Sequence, residues 1–293
     1  MTVAFLEQAL RRALADPNVR ITDAPAVGGG CVHEAARLVT SAGEFFGKWN
    51  ARCPPDLFLR EAEGLDALRA AGSEIVVPRI VAASAPAGGD PAFLILEYLP
   101  AAPSGPQGDE RLGRGLAAIH RRRAERFGFP SPTYCGETRQ DNRDCDSWVE
   151  FYRERRLGPL VAALELAGRL APADRQLYGR LFERMDDLLP RESVPSLIHG
   201  DLWSGNVLVT ARGPALVDTA CAYADREMEF GITTLFGGLS GRAIAAYEEA
   251  WPLPAGWRER NPLYQLYHLL NHALLFGGHY GAEARRTARR FVV

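Results

Sequence analysis

Residues 199–206 read His-Gly-Asp-Leu-Trp-Ser-Gly-Asn, between the apolar pair Leu197-Ile198 and the strand-like run Val207-Leu208-Val209. Asp201 and Asn206 stand five positions apart, and Asp218 closes the next strand-like run, Ala215-Leu216-Val217. A strand–turn–strand here would return Asp218 to the side of Asn206. Phosphoryl transfer calls for such groups, because it needs in-line positioning and charge neutralisation more than covalent help. Mg²⁺ takes hard oxygen ligands, one or two from protein and the rest from phosphate and water. Asn206 and Asp218 would supply those oxygens. Asp201 would orient an attacking hydroxyl and accept its proton. His199 taken alone reads as a loop residue held by hydrogen bonds.

The spacing matches the kinase catalytic-loop pattern H-R-D-L-x-x-x-N, with Gly200 in place of arginine. That chemistry requires ATP and Mg²⁺ as cofactors and a lysine on a strand behind a glycine-rich loop. Lys48 is the only lysine in the chain, and it ends such a strand-like run. A carboxylate on the following helix should pair with it; Glu61 and Glu63 are both available, and Glu61 is preferred. Gly28, Gly29 and Gly30 would permit close backbone approach to phosphate oxygens. They lack the spaced G-x-G-x-x-G pattern, so a plain flexible loop is the alternative for that segment alone. The stretch Glu97-Tyr98-Leu99 occupies the place where a hinge backbone would meet adenine.

These groups need elements to hold them. Val3, Leu6, Leu10 and Leu14 recur at helical spacing over residues 2–16. Arg37–Thr40 and Phe45–Trp49 predict paired strands around the turn Ser41-Ala42-Gly43. A helix over 57–71 follows, then strands over Val76–Ala82 and Phe93–Glu97. The segment Ala101–Gly108, with two prolines and two glycines, reads as a linker. Beyond it helical periodicity dominates, over 110–122, 146–167, 172–189, 241–250 and 262–276. The expectation is an α+β, bilobal, protein-kinase-like fold. Residues 1–100 would form a β-rich ATP-binding lobe, and residues 101–293 a mainly helical catalytic and substrate lobe.

The sequence resembles the fructosamine kinase (ketosamine-3-kinase) family, within the protein-kinase-like and aminoglycoside-phosphotransferase-like fold. The resemblance runs over nearly the whole chain. It is carried by Gly28–Glu34, the helix Glu61–Leu68, Leu197–Leu208 with Trp203 after Asp-Leu, Glu229–Gly238, and Leu263–His272. It implies ATP-dependent phosphorylation of the 3-hydroxyl of ketosamines, either fructosamines, ribulosamines or related glycated amines. The phosphorylated product decomposes and releases the amine, which makes the activity a deglycation repair. Another acceptor of aminoglycoside, homoserine or choline type is the alternative. The resemblance also implies that Cys31 is a redox-sensitive thiol able to link a homodimer. Trp203, Trp148 and His272 are candidates for the sugar-amine pocket, since aromatic faces stack on sugars and cations; each could equally be a core residue. The chain departs from the family in Thr219-Ala220, where Pro-Ala is more usual. It also lacks Asp-Phe-Gly and Ala-Pro-Glu segments, which argues against a protein kinase with a phosphorylated activation loop.

Composition fits this frame. A formal net charge of −2 gives no electrostatic reason to expect nucleic acid. Five cysteines without Cys-x-x-Cys spacing speak against a disulfide framework or a zinc ribbon. No apolar run is long enough for a bilayer, and the first residues lack a signal-peptide pattern. A cytoplasmic protein with no membrane partner is expected.

Overall fold

The computed structural model describes residues 3–28, 33–103 and 105–292. The chain opens on α1 (Ala4–Ala13), whose buried residues Leu6, Ala9 and Leu10 form one stripe. Then come β1 (Ile21–Asp23), β2 (Glu34–Thr40), β3 (Gly43–Asn50), α2 (Leu57–Ala70), β4 (Ile80–Ser84) and β5 (Ala92–Glu97). The strands make one sheet in the order β1-β2-β3-β5-β4. The β2–β3 hairpin pairs Ala35 with Lys48 and Thr40 with Gly43, around the expected turn. β5 lies between β3 and β4, which is why it reads as an unbroken apolar run, Ala92–Leu96 being buried throughout. One sheet face receives Leu6 and Leu10 against Leu38, Phe45 and Ile95. The other takes Phe58, Leu65 and Leu68 of α2 against Leu94 and Leu96.

The helical lobe follows. It comprises α3 (Pro106–His120), β6 (Thr133–Cys135), β7 (Thr138–Gln140), α4 (Trp148–Tyr152), α5 (Gly158–Leu166) and α6 (Pro172–Leu188). It continues with β8 (Ser196–Ile198), β9 (Val207–Thr210), β10 (Gly213–Leu216), β11 (Ala222–Ala224), α7 (Glu227–Phe236), α8 (Gly241–Ala250), α9 (Trp257–Phe276) and α10 (Tyr280–Arg289). Its main core joins Trp148, Tyr152, Tyr178, Leu181, Tyr264, Tyr267 and Leu270. Among the described residues no helix is long and apolar enough to cross a membrane.

Three sequence expectations shift. The strand expected over Val76–Ala82 is β4, Ile80–Ser84; Val76 instead bridges Ala215 in the other lobe, so its burial reflects contact between lobes. The linker is shorter than expected because α3 begins at Pro106. The helix expected over 146–167 is interrupted by a π-helical turn, Arg153–Leu157. There Arg156 is fully buried and donates to the Asn142 side chain at 2.6 Å and the Asp141 carbonyl at 2.9 Å. A widened turn is a common way to re-aim a side chain within a helix.

Candidate active site

β3 delivers Lys48 to the cleft between the lobes, where its Nζ lies 2.7 Å from Glu61 Oε2 and 2.6 Å from Asp218 Oδ1. Lys48 and Glu61 are buried, while Asp218 is 49% exposed and so presents its carboxylate to the cleft. Burial disfavours a charged lysine, but the two carboxylates outweigh it and hold the Lys48 pKa above its ordinary value. Asp218 is likewise held below the usual carboxylate range: the loss of solvent around it within the cleft would raise it, and Lys48 more than compensates. Glu61 is different. Burial pushes it up to about 7, because Lys48 is shared and Asp218 repels a second negative charge. The alternative, Glu63, points away to Arg60 and Ser131.

α2 comes close to the Asp218 segment because Gly64 has no side chain. A Cβ there would lie 2.2 Å from Thr219 Oγ1. Thr219 uses its hydroxyl to donate to the Glu61 carbonyl at 3.5 Å, an option that proline at this position would remove.

The loop 199–206 is fixed from below. Glu229, fully buried on α7, accepts the backbone N–H of His199 at 2.6 Å and of Gly200 at 3.0 Å. Burial opposes its charge, yet the hydrogen bond from His120 and the His199 amide keep its pKa below the usual range. His199 is buried and its Nε2 lies 2.9 Å from the Val217 carbonyl, so it ties the loop to the strand that carries Asp218. Gly200 has φ +82°, and a Cβ there would sit 2.2 Å from the Ala220 carbonyl. No side chain fits, which explains glycine where the protein-kinase pattern has arginine.

Asn206 Nδ2 donates to the Asp201 carbonyl at 2.8 Å and lies 3.3 Å from the Asp218 carbonyl. The Val217 amide donates to the Asn206 carbonyl at 3.2 Å. β9 and β10 pair Val207 with Leu216, so the strand–turn–strand does bring Asp218 back beside Asn206. With Nδ2 committed, Oδ1 is the Asn206 atom left for a cation. Together with the exposed Asp218 carboxylate it offers the hard oxygens that Mg²⁺ requires. Asp218 also holds φ +58°, a left-handed conformation uncommon outside glycine and found at functional sites.

Asp201 is half-buried, and among the described residues it has no ion-pair partner within 4 Å. Burial pushes its pKa up to about 7, the Cys135 thiol counters this, and Asp218 and Glu229 add to it. Cys135 Sγ lies 3.7 Å from Asp201 Oδ1. Sequence reasoning missed Glu229 and Cys135; His268 and His272 stand i, i+4 on one helix face, a spacing that could suit a metal but, without an acidic residue between them, reads as packing or substrate contact. The one sequence signal for Glu229 is weak: it is one of two acids in a mostly apolar helix.

The remaining candidates fall differently. Trp148 is a correction: it is 2% exposed, its Nε1 donates to the Tyr264 hydroxyl at 3.1 Å, and it stacks on Tyr152 within the core of the helical lobe. An indole whose one donor is satisfied inside the core has no face left for a ligand. Trp203 is half-buried with its ring over Gly205. His272 is half-buried among Phe236 and Tyr280, with Nδ1 2.9 Å from the His268 carbonyl. Glu97 spends its side chain on Arg212 at 2.5 Å and on the Arg79 amide at 3.2 Å, and Leu99 follows at the start of the linker. Any nucleotide contact there would fall to the backbone. Gly28 is exposed, with nothing within 4 Å of a Cβ built on it. Gly29, Gly30 and Cys31 lie outside the described residues.

A β-sheet lobe over a helical lobe, with Lys48, Asp201, Asn206 and Asp218 gathered at the cleft, defines a kinase-type phosphotransferase. The fructosamine kinase family model matches residues 5–292, and the chain belongs to that family. A protein of Vibrio parahaemolyticus named as a probable ketoamine kinase is 36% identical over 97% of this chain and 99% of its own. A chloroplastic protein-ribulosamine 3-kinase of Oryza sativa subsp. indica is 38% identical over 90% of this chain and 77% of its own. A solved structure from Thermobifida fusca, described as a candidate fructosamine-3-kinase, superposes with a TM-score of 0.86 at 32% identity over 98% of both chains. The fold reaches further still: a thermostable mutant of the aminoglycoside phosphotransferase APH(4)-Ia matches with a TM-score of 0.61 at 14% identity, over 98% of both chains.

Proposed function

We propose that the protein transfers the γ-phosphoryl group of ATP to the 3-hydroxyl of a ketosamine, a fructosamine or ribulosamine borne on a free amine or on protein. The observation that carries this reading is the division of charge in the cleft. Lys48 is bonded to Glu61 and Asp218, whereas Asp201 has no ion-pair partner among the described residues. The names of the Vibrio and rice relatives support the acceptor class and the position phosphorylated. Asp201 accepts the proton of the sugar hydroxyl as its oxygen bonds to phosphorus and the bond to the ADP oxygen breaks. Lys48, held by Glu61, is positioned to bind phosphate oxygens. Asn206 and Asp218 would hold Mg²⁺, which when bound neutralises charge on the transferring phosphoryl group. The phosphorylated ketosamine then decomposes and frees the amine, so the activity is a repair.

Incubating the protein with Mg·ATP and ribulosamine, fructosamine, an aminoglycoside, homoserine or choline tests the assignment, with Asp201→Asn as control. Acceptor-dependent ADP release with the ketosamines, lost in the variant, is expected. Release confined to the other acceptors, or equal in both proteins, sinks it. The same reading places the enzyme in a reducing cytoplasm, in keeping with unpaired Cys53, Cys135, Cys145 and Cys221. It also assigns Cys31 to a redox-linked dimer, which a non-reducing gel with Cys31→Ser would check.

A further inference from the structure

Asp201 also belongs to a group whose other two members phosphoryl transfer does not use. Cys135 from β6, Asp201 from the loop and His268 from α9 each bring one ligand-type atom, all within 4.8 Å of one another. A tetrahedral ion with bonds of about 2.0–2.3 Å holds its ligands roughly 3.3–3.8 Å apart. The 3.7 Å between Cys135 Sγ and Asp201 Oδ1 already falls in that range. The imidazole needs to close by at most about 1.5 Å to reach the same ligand spacing.

Two observations make this more than proximity. His268 is 1% exposed, and its Nδ1 is buried without a hydrogen-bond partner. Buried ring nitrogens are ordinarily satisfied, so the pocket contains a donor–acceptor group with unmet demand. The Cys135 backbone is also anchored, since its carbonyl accepts Asn271 Nδ2 at 3.2 Å while Asn271 Oδ1 takes the Thr138 hydroxyl at 2.5 Å. Thiol, carboxylate and imidazole together make a donor set for Zn²⁺ and not for Mg²⁺. The oxygen pair Asn206 and Asp218 has the opposite preference. Cys135 and His268 are buried while Asp201 is half-buried, so an ion would enter across Asp201 from the cleft.

We propose that Cys135, Asp201 and His268 form an inhibitory Zn²⁺ site, with water in the fourth position. Binding replaces the thiol proton: the Cys135 S–H bond breaks, a sulfur–zinc bond forms, the proton leaves to solvent, and no electron is transferred. The ion occupies the carboxylate that the hydroxyl proton must reach. The inhibitory role therefore rests on Asp201 being the base, whereas the metal site does not.

The full chain titrated with Co²⁺ alone tests the site. One equivalent should produce a near-ultraviolet thiolate-to-cobalt band that Zn²⁺ displaces. The band should vanish in Cys135→Ser, and the affinity should fall at least about tenfold in His268→Gln. A missing band, or one that survives Cys135→Ser, overturns the site. Should Cys135→Ser fail to fold, as judged by circular dichroism, His268→Gln decides, and unchanged cobalt affinity there overturns it. In a turnover assay at fixed Mg·ATP, added Zn²⁺ should slow the wild type. His268→Gln should need at least about tenfold more Zn²⁺ for the same inhibition. Equal sensitivity of both proteins overturns the inhibitory role. The cobalt spectrum needs no acceptor, so it stands or falls independently of the ketosamine assignment.

Discussion

The two sides of the cleft solve the problem of a buried carboxylate in opposite ways. Around Lys48 a cation is shared: one ammonium contacts Glu61 at 2.7 Å and Asp218 at 2.6 Å. Around Asp201, the neighbours are a thiol, an amide and an imidazole, none of them a cation. Sharing the ammonium keeps Lys48 charged and Asp218 ionised, while Glu61, with only part of that charge to itself, is pushed up to about 7; the three bonded side chains hold one shape, which suits a fixed cradle for phosphate. Asp201 is also pushed up to about 7, but by burial with no ammonium beside it, which suits a group that takes up a proton and releases it in each cycle. The contrast teaches that two carboxylates can reach the same pKa from opposite surroundings, Glu61 beside a shared cation and Asp201 with none beside it.

The sharpest way to break the comparison is Asp201→Asn. It should lower kcat by about 10²–10⁴-fold, the usual contribution of a general base. Its thermal midpoint should not fall, because a buried carboxylate without a cation is removed. Initial rates and a melting curve check both halves together. Lys48→Met should do the reverse to stability. It strands Glu61 in the interior and should cost about 3 kcal/mol in urea unfolding. This is the lower end for a broken buried pair, since water takes over part of the half-exposed Asp218 charge. A loss of activity without loss of stability would show that Lys48 does not hold the two carboxylates as described.

A pH series sharpens the contrast. With Asp201 pushed up to about 7, kcat/KM should fall about tenfold per unit below that pH and level off above it. Stability should move the other way. Between about 4 and 7 the folded chain keeps protons on Asp201 and Glu61 that the unfolded chain has released, so their contribution is present at low pH and lost as pH rises. Asp218, whose pKa is lowered, works in the opposite direction and loses its contribution as pH falls below its unfolded value. A rate plateau reaching down to pH 5 would contradict the assignment of Asp201. The smallest effect is expected at Glu229→Gln. It leaves the His199 or Gly200 amide facing another donor and should cost about 1–3 kcal/mol. A loosened loop would show as lower kcat with little change in the KM for ATP.

Much of this was legible in the sequence, and the reason is geometric. Lys48, Glu61, Asp201, Asn206 and Asp218 sit on or beside elements with clear periodicity, a hairpin, a helix and two paired strands, so spacing alone places them. Glu229 was hidden because a buried acid has no periodic signature and its partners are backbone amides 29 and 30 residues away. Cys135 lies on a three-residue strand, too short for alternation to register. Trp148 was misplaced because an aromatic side chain looks the same in sequence whether it lines a pocket or fills a core. Its satisfied indole N–H settles the matter only in three dimensions.

The burial of Lys48 has a chemical consequence for the protein as a target. Reducing sugars condense with primary amines, and this chain holds one lysine among its 34 basic side chains. That amine is 4% exposed and locked between two carboxylates. Arginine serves at every other basic position and carries no ε-amine to glycate. Under the repair function proposed above, the chain would thus offer glycation almost no lysine amine, and amine-directed reagents would report on whether the Lys48 cluster is intact.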